Sequence, residues 1–116
     1  MQARPPRRVD QEGVAEGIER RMIWGEHLMV CKVRFAPNLV TPMHSHPHEQ
    51  ITIVERGKVR FLIGGEAMVA SPGDVVHFPP GIEHSATMLD EEVDLVDIFT
   101  PVRDDFVRKA SSETER

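Results

Sequence analysis

Turn residues cut this chain into short pieces. Pro37-Asn38, Gly57, Gly64-Gly65, Ser71-Pro72-Gly73-Asp74 and Pro79-Pro80-Gly81 recur about every ten residues, each a turn signal by its backbone chemistry. The pieces between them carry the period of a strand. Met29, Cys31, Val33 and Phe35 alternate with Leu28, Val30, Lys32 and Arg34, so the first row faces a core. Cys31 falls in that row and reads as a small buried hydrophobe rather than a nucleophile. Gly64-Gly65 joins Lys58–Ile63 to Glu66–Ala70 as a two-residue hairpin. Val75–Phe78 and a long run from Glu92 to Phe99 add further strands. No stretch has a convincing amphipathic helical period, and only Arg103–Arg116 has room for a helical turn or two. Six or more short strands of this kind predict an all-β barrel or sandwich.

The 116 residues suffice for one core. Residues 1–17, with Arg4-Pro5-Pro6-Arg7-Arg8, read as a solvated N-terminal arm, 18–106 as the barrel and 107–116 as a C-terminal tail. With aromatics at 5% of the chain, the core is expected to be aliphatic. Fourteen Lys and Arg against 19 Asp and Glu leave a net charge of −5, which argues against nucleic acid as the main partner. A single cysteine excludes an internal disulfide and fits a reducing compartment. No apolar run approaches about 18 residues and no signal-peptide pattern is present, so the expectation is a cytoplasmic protein with no membrane partner.

The chemistry is concentrated in His44-Ser45-His46-Pro47-His48-Glu49-Gln50. Three imidazoles, a carboxylate and a carboxamide are the donors that take a borderline divalent metal. The β-branched run that follows makes Gln50 the opening of a strand, with His44 and His46 directed to one side and, where extended geometry holds across Pro47, His48 and Gln50 with them. His48 reads as solvent-exposed or as a rim group, and Glu49 faces outward. His77 and His27 read as satisfied structural histidines.

Together with Gly73-Asp74-Val75-Val76-His77-Phe78-Pro79-Pro80-Gly81-Ile82-Glu83-His84, this run resembles the two motifs of the cupin superfamily. In the first motif His44, His46, Gln50 and Gly57 keep the spacing, with Gln50 where Glu is usual and Asn38 where the leading Gly would fall. In the second, Gly73, Pro79, Gly81 and His84 match, and Met88 replaces Asn. The resemblance implies a cupin double-stranded β-helix, a jelly-roll-like barrel. It also implies one divalent metal ion (Ni, Zn, Mn or Fe) held by His44, His46, Gln50 and His84. Three imidazoles and an amide leave the ion's charge uncompensated, which suits an anionic ligand such as a carboxylate or enolate.

A third group lies in Val93–Phe106. Asp97 alternates with Val93, Leu95 and Phe99, which places a carboxylate in an apolar row, and Arg103 follows closely. Spacing leaves two readings level: an Asp97–Arg103 ion pair that ties down the tail, or a proton-transfer group beside a carboxylate clamp. The outer row Asp94, Val96 and Ile98 carries aliphatics and predicts a homodimer.

His44–Gln50 and the run Asp97-Ile98-Phe99-Thr100-Pro101-Val102-Arg103-Asp104-Asp105-Phe106 together resemble the KdgF group of pectin-degradation cupins, over roughly residues 22–106. That resemblance implies opening of the ring of 4,5-unsaturated monouronates to linear keto-uronates, with a small carboxylated molecule as substrate. Metal and Arg103 would hold the carboxylate and neighbouring oxygens, and Asp97 would move protons. Two other functions share the motifs: an Fe(II) cupin dioxygenase, and a non-catalytic small-molecule-binding cupin.

Overall fold

The alternation at Met29–Phe35 is a strand with one face in the interior. Met29, Cys31, Val33 and Phe35 are buried while Lys32 and Arg34 are exposed. The structure, a computed structural model, describes residues 5–114. In chain order its strands are β1 (Arg7–Ala15), β2 (Ile18–Trp24), β3 (Met29–Phe35), β4 (Glu49–Arg56) and β5 (Val59–Ile63). They continue with β6 (Glu66–Ala70), β7 (Val75–Phe78), β8 (His84–Met88) and β9 (Val93–Thr100), and one helix, α1 (Asp104–Thr114), follows. A six-stranded sheet runs β1-β2-β3-β9-β4-β7, and a three-stranded sheet runs β6-β5-β8. All pairings are antiparallel, and the inner faces of both sheets contribute to one core. This is an all-β jelly roll.

The register decides which side chains meet in the interior. Across the large sheet one inward row reads Met22, Cys31, Asp97, Thr52 and Val76. The next reads Trp24, Met29, Phe99, Gln50 and Phe78. The polar pair Thr52 and Asp97 thus enters the first row from β4 and β9, and Gln50 of β4 enters the second between Phe99 and Phe78. The core is not purely aliphatic. Trp24, Phe35, Phe61, Phe78 and Phe99 are all buried, because a chain with few aromatics places nearly all of them where each removes the most apolar surface from water.

The two ends of the chain differ from their sequence reading. Residues 1–4, and Arg4 with them, lie outside the described residues, but Arg7–Ala15 is an edge strand in the large sheet. Its charged outer positions resemble an arm because an edge strand faces water, yet β2 needs a backbone partner there. At the other end Asp104–Thr114 is a helix of 11 residues, longer than a turn or two. Asp104 and Asp105 occupy its first turn, where acidic groups favour the helix start, and Phe106 and Val107 pack on the core. Among the described side chains Phe106 and Val107 are the apolar residues of the helix that anchor it, and so short an apolar stretch leaves a faint sequence period. The outer-row aliphatics Val96 and Ile98 are half-buried by strands on both sides. Among the described residues no helix is long and apolar enough to cross a membrane.

Two turn positions explain the motif residues. Asn38 has φ 64°, a left-handed conformation that Asn tolerates better than most residues, which accounts for its standing in place of glycine. Gly57 has φ 78°, and a Cβ there would lie 2.3 Å from the carbonyl oxygen of Glu92. Both conformation and space require glycine. We expect Gly57→Ala to destabilise the fold by more than about 2 kcal/mol, read from the midpoint of urea unfolding.

Candidate functional site

The histidines come from both sheets. His44 and His46 lie in the segment entering β4, and His84 opens β8. Two backbone hydrogen bonds join the segments: His44 N–H donates to the His84 carbonyl at 3.0 Å, and His84 N–H to the His44 carbonyl at 2.9 Å. Gly81 N–H adds a third, to the His46 carbonyl at 2.8 Å. The two sequence motifs are thereby stitched into one wall. One potential ligand atom from each of His44, His46 and His84 lies within 4.8 Å of the other two. These three residues can hold a metal ion.

Their hydrogen bonds favour that use. The Nδ1 atoms of His44, His46 and His84 lie 2.9, 3.0 and 3.0 Å from the backbone carbonyls of Pro42, His48 and Ile82. A carbonyl only accepts, so each Nδ1 carries the proton and each Nε2 is left with a lone pair. Such outer partners fix the ring and its tautomer for a metal. Burial is the main reason the His46 pKa falls to about 4, with the Arg103 cation adding to it. Burial also lowers His84. At neutral pH both are uncharged donors.

Gln50 adds a further sign. Its Oε1 lies 3.0 Å from His46 Nε2. Its amide nitrogen donates to Thr52 Oγ1 at 2.8 Å and more weakly to Asp97 at 3.4 Å, which turns the oxygen toward the histidines. With His46 Nδ1 already donating, two lone pairs face each other across 3.0 Å. A shared cation relieves that repulsion, so the donor set fits a divalent ion with Gln50 at its edge.

Asp97 lies at the inner end of this line and accepts a hydrogen bond of 2.6 Å from Thr52 Oγ1. Burial pushes its pKa up to about 6, and the hydrogen bonds from Thr52 and Gln50 and the cations Arg103 and Arg20 only partly oppose it. Arg103 is buried but does not pair with Asp97. Its Nε and Nη2 donate to the two oxygens of Asp105 at 3.0 and 2.8 Å, and that bond holds Asp105 down at about 2. The alternative of an Asp97–Arg103 ion pair is replaced by this one, because α1 turns Asp105 back onto the guanidinium.

A cavity of about 190 Å³ collects His44, Gln50, His84, Asp97, Arg103 and Arg20. Spacing alone does not single out Arg20, Thr52 or Gln11. Arg20 did leave a signal, a charge alternating with Ile18, Met22 and Trp24. Among the other histidines, His77 bonds exposed Glu49 at 2.8 Å, a satisfied structural residue. His27 is not: its side chain is 86% exposed, because it lies in the turn after β2. His48 is half-buried, with its Nδ1 enclosed and unpartnered among the described residues, since Pro47 breaks the simple alternation. Cys31 is buried, and its thiol is pushed up to about 12, chiefly by that burial.

A two-sheet barrel with three clustered histidines, two of them lining one cavity with a carboxylate, defines a β-barrel of the cupin kind with residues able to hold a metal. The chain belongs to the cupin domain family, whose model matches residues 31–99. It is 34% identical over 98 residues to the pectin degradation protein KdgF of Dickeya dadantii, covering 83% of this chain and 89% of that one. Among solved structures it resembles KdgF from a Halomonas species, at TM-score 0.78 and 33% identity over 84% of this chain and 90% of that one. It also resembles an RmlC-like cupin from Shewanella frigidimarina, at TM-score 0.78 and 28% identity over 85% and 88% of the two chains.

The histidine geometry makes a direct prediction. Protein loaded with a divalent ion and desalted should retain about one ion per chain by elemental analysis. His46→Ala and His84→Ala should each retain far less. Full retention in both variants would show that the ion binds elsewhere.

Proposed function

We propose that the protein is a metal-dependent cupin enzyme that opens and ketonises the ring of 4,5-unsaturated uronates. His44, His46, His84 and Gln50 are the metal ligands in this reading, Asp97 is the proton-transfer group, and Arg103 contacts substrate oxygens. The observation that carries it is the line from buried His46, Gln50 and Thr52 to half-buried Asp97, which sets a carboxyl group of raised pKa beside a set of metal donors. Similarity to KdgF proteins over most of the chain supports the substrate class.

When bound, a divalent ion at the histidines polarises substrate oxygens as a Lewis acid. The protein's own groups do the rest. Ionised Asp97 takes the proton of the hemiacetal hydroxyl as the bond between the anomeric carbon and the ring oxygen breaks. An aldehyde and an enolate result. Asp97 then gives the same proton to C4, the enolate carbon that does not bear oxygen, and C5 becomes the ketone carbon. Atoms and electrons balance with no oxidant, because the reaction is an isomerisation. A carboxyl group with a pKa of about 6 suits both halves near neutrality. Arg103, oriented by Asp105 and by Phe106 with its guanidinium carbon 3.9 Å from the ring centroid, keeps donors that Asp105 does not use.

The test is to load the protein with metal and follow loss of enol absorbance with unsaturated galacturonate. Asp97→Asn should keep the fold and the metal and lose about 10²–10⁴-fold in kcat. Normal turnover per folded molecule in that variant would overturn the role of Asp97. Substrate-dependent oxygen uptake would instead place the protein among oxygenases.

The pH profile follows from the sign of the shift. Asp97 must start ionised, so kcat should fall on the acid side with an apparent pKa of about 6 or lower, since a bound cation favours the ionised form. Asp97→Asn should remove that limb.

A further inference from the structure

We propose that Arg20 is the residue that selects an acid as substrate, its guanidinium receiving the carboxylate of the ligand in the cavity. The proposal rests on the reading above and names a determinant of its specificity. Arg20 belongs to the inward row of β2, in register with Val33 of β3, and lines the same cavity as His44, His84 and Asp97. A cation in an apolar row is costly unless something uses it.

What holds Arg20 does not neutralise it. Its Nε and Nη2 both donate to Oε1 of Gln11, at 3.2 and 2.9 Å, and its guanidinium carbon lies 3.9 Å from the centroid of the Phe106 ring. An amide and an aromatic ring fix the plane of the group and leave its charge intact. Arg103 differs, because Asp105 meets its guanidinium with two prongs and cancels the charge. No carboxylate makes an ion pair with Arg20 among the described residues. Asp97, the other acid in the cavity, is bonded to Thr52 and Gln50.

Two guanidiniums therefore reach the cavity wall, and among the described residues only Arg103 of the two has a carboxylate partner. Gln11 occupies only the Nε side, so N–H groups on the Nη1 and Nη2 atoms remain for an incoming oxygen pair. Partial burial strengthens such a bond, because less water competes for it. A neutral ester or a plain sugar has no negative charge to offer at this position.

The experiment compares unsaturated galacturonate with its methyl ester on metal-loaded wild type, Arg20→Gln, Arg20→Lys and Arg103→Gln, with melting temperature and metal content measured on the same preparations. In wild type, kcat/KM should favour the acid by roughly ten- to a hundredfold, the range of a charge-assisted bond. Arg20→Gln should raise KM for the acid by a similar factor, change kcat less, and abolish the preference over the ester. Arg20→Lys should fall between, and it decides the matter if the Gln variant does not fold. A fold defect alone would lower both substrates equally and would overturn the proposal. A preference kept in Arg20→Gln and lost in Arg103→Gln would also overturn it, while leaving the ring-opening reaction in place. If wild type turns over neither compound, the reaction is wrong. Arg20 is then judged by calorimetry with galacturonate against galactose. Binding of the acid alone, lost in Arg20→Gln, upholds the role, and no binding overturns it.

Discussion

The reciprocal backbone hydrogen bonds between His44 and His84 are the constraint on which the site depends. They hold together segments 40 positions apart, from opposite sheets of the barrel. Neither motif alone could set three imidazole nitrogens within 4.8 Å of one another. The bonds use main-chain groups, so the side chains are left entirely to the chemistry. The glycine that precedes His84 serves the same clamp, since Gly81 at φ 77° turns its N–H onto the His46 carbonyl. A left-handed turn there is open to glycine and strained for nearly any other residue.

Behind the clamp, the interior carries a short line of polar groups through apolar surroundings. Gln50 lies between Phe78 and Phe99 in the sheet, and Thr52 lies beside Asp97. Burial of such groups is tolerated because each is hydrogen-bonded to the next. The same burial has opposite effects on acid and base. It raises Asp97 and lowers His46, so that at neutral pH a proton can be exchanged at one end while the other end stays uncharged. One cause, removal from water, prepares both parts of the site.

The helix at the end of the chain does more than close the barrel. Its first turn supplies Asp105 to Arg103 and Phe106 to both Arg103 and Arg20. Two guanidiniums that look alike in sequence acquire different electrostatic surroundings from their neighbours. A carboxylate from α1 neutralises one, whereas an amide from β1 and a ring from α1 steady the other. Both edge elements were the parts of the chain whose patterns were faintest, and both complete the cavity.

How much could be read beforehand follows from the range of each interaction. The strands, their turns and the inward rows were legible, because alternation and turn chemistry are local properties of backbone and side chain. His44, His46, Gln50 and His84 were brought together as candidates by resemblance to the two cupin motifs, the structure clusters the three histidines, and Asp97 stood out because a carboxylate broke an apolar row. The partners of these residues were not. Whether Arg103 meets Asp97 or Asp105 depends on where α1 folds back, and whether Arg20 matters depends on Gln11, a neighbour across a strand pair. The exposure of His27 and the enclosed Nδ1 of His48 likewise depend on loop paths that no period records. The sequence by itself determined the barrel, the donor types and the acid in the core. Tertiary structure alone decided which charges are cancelled, since cancellation requires atoms within hydrogen-bond reach and local sequence does not measure distance between segments.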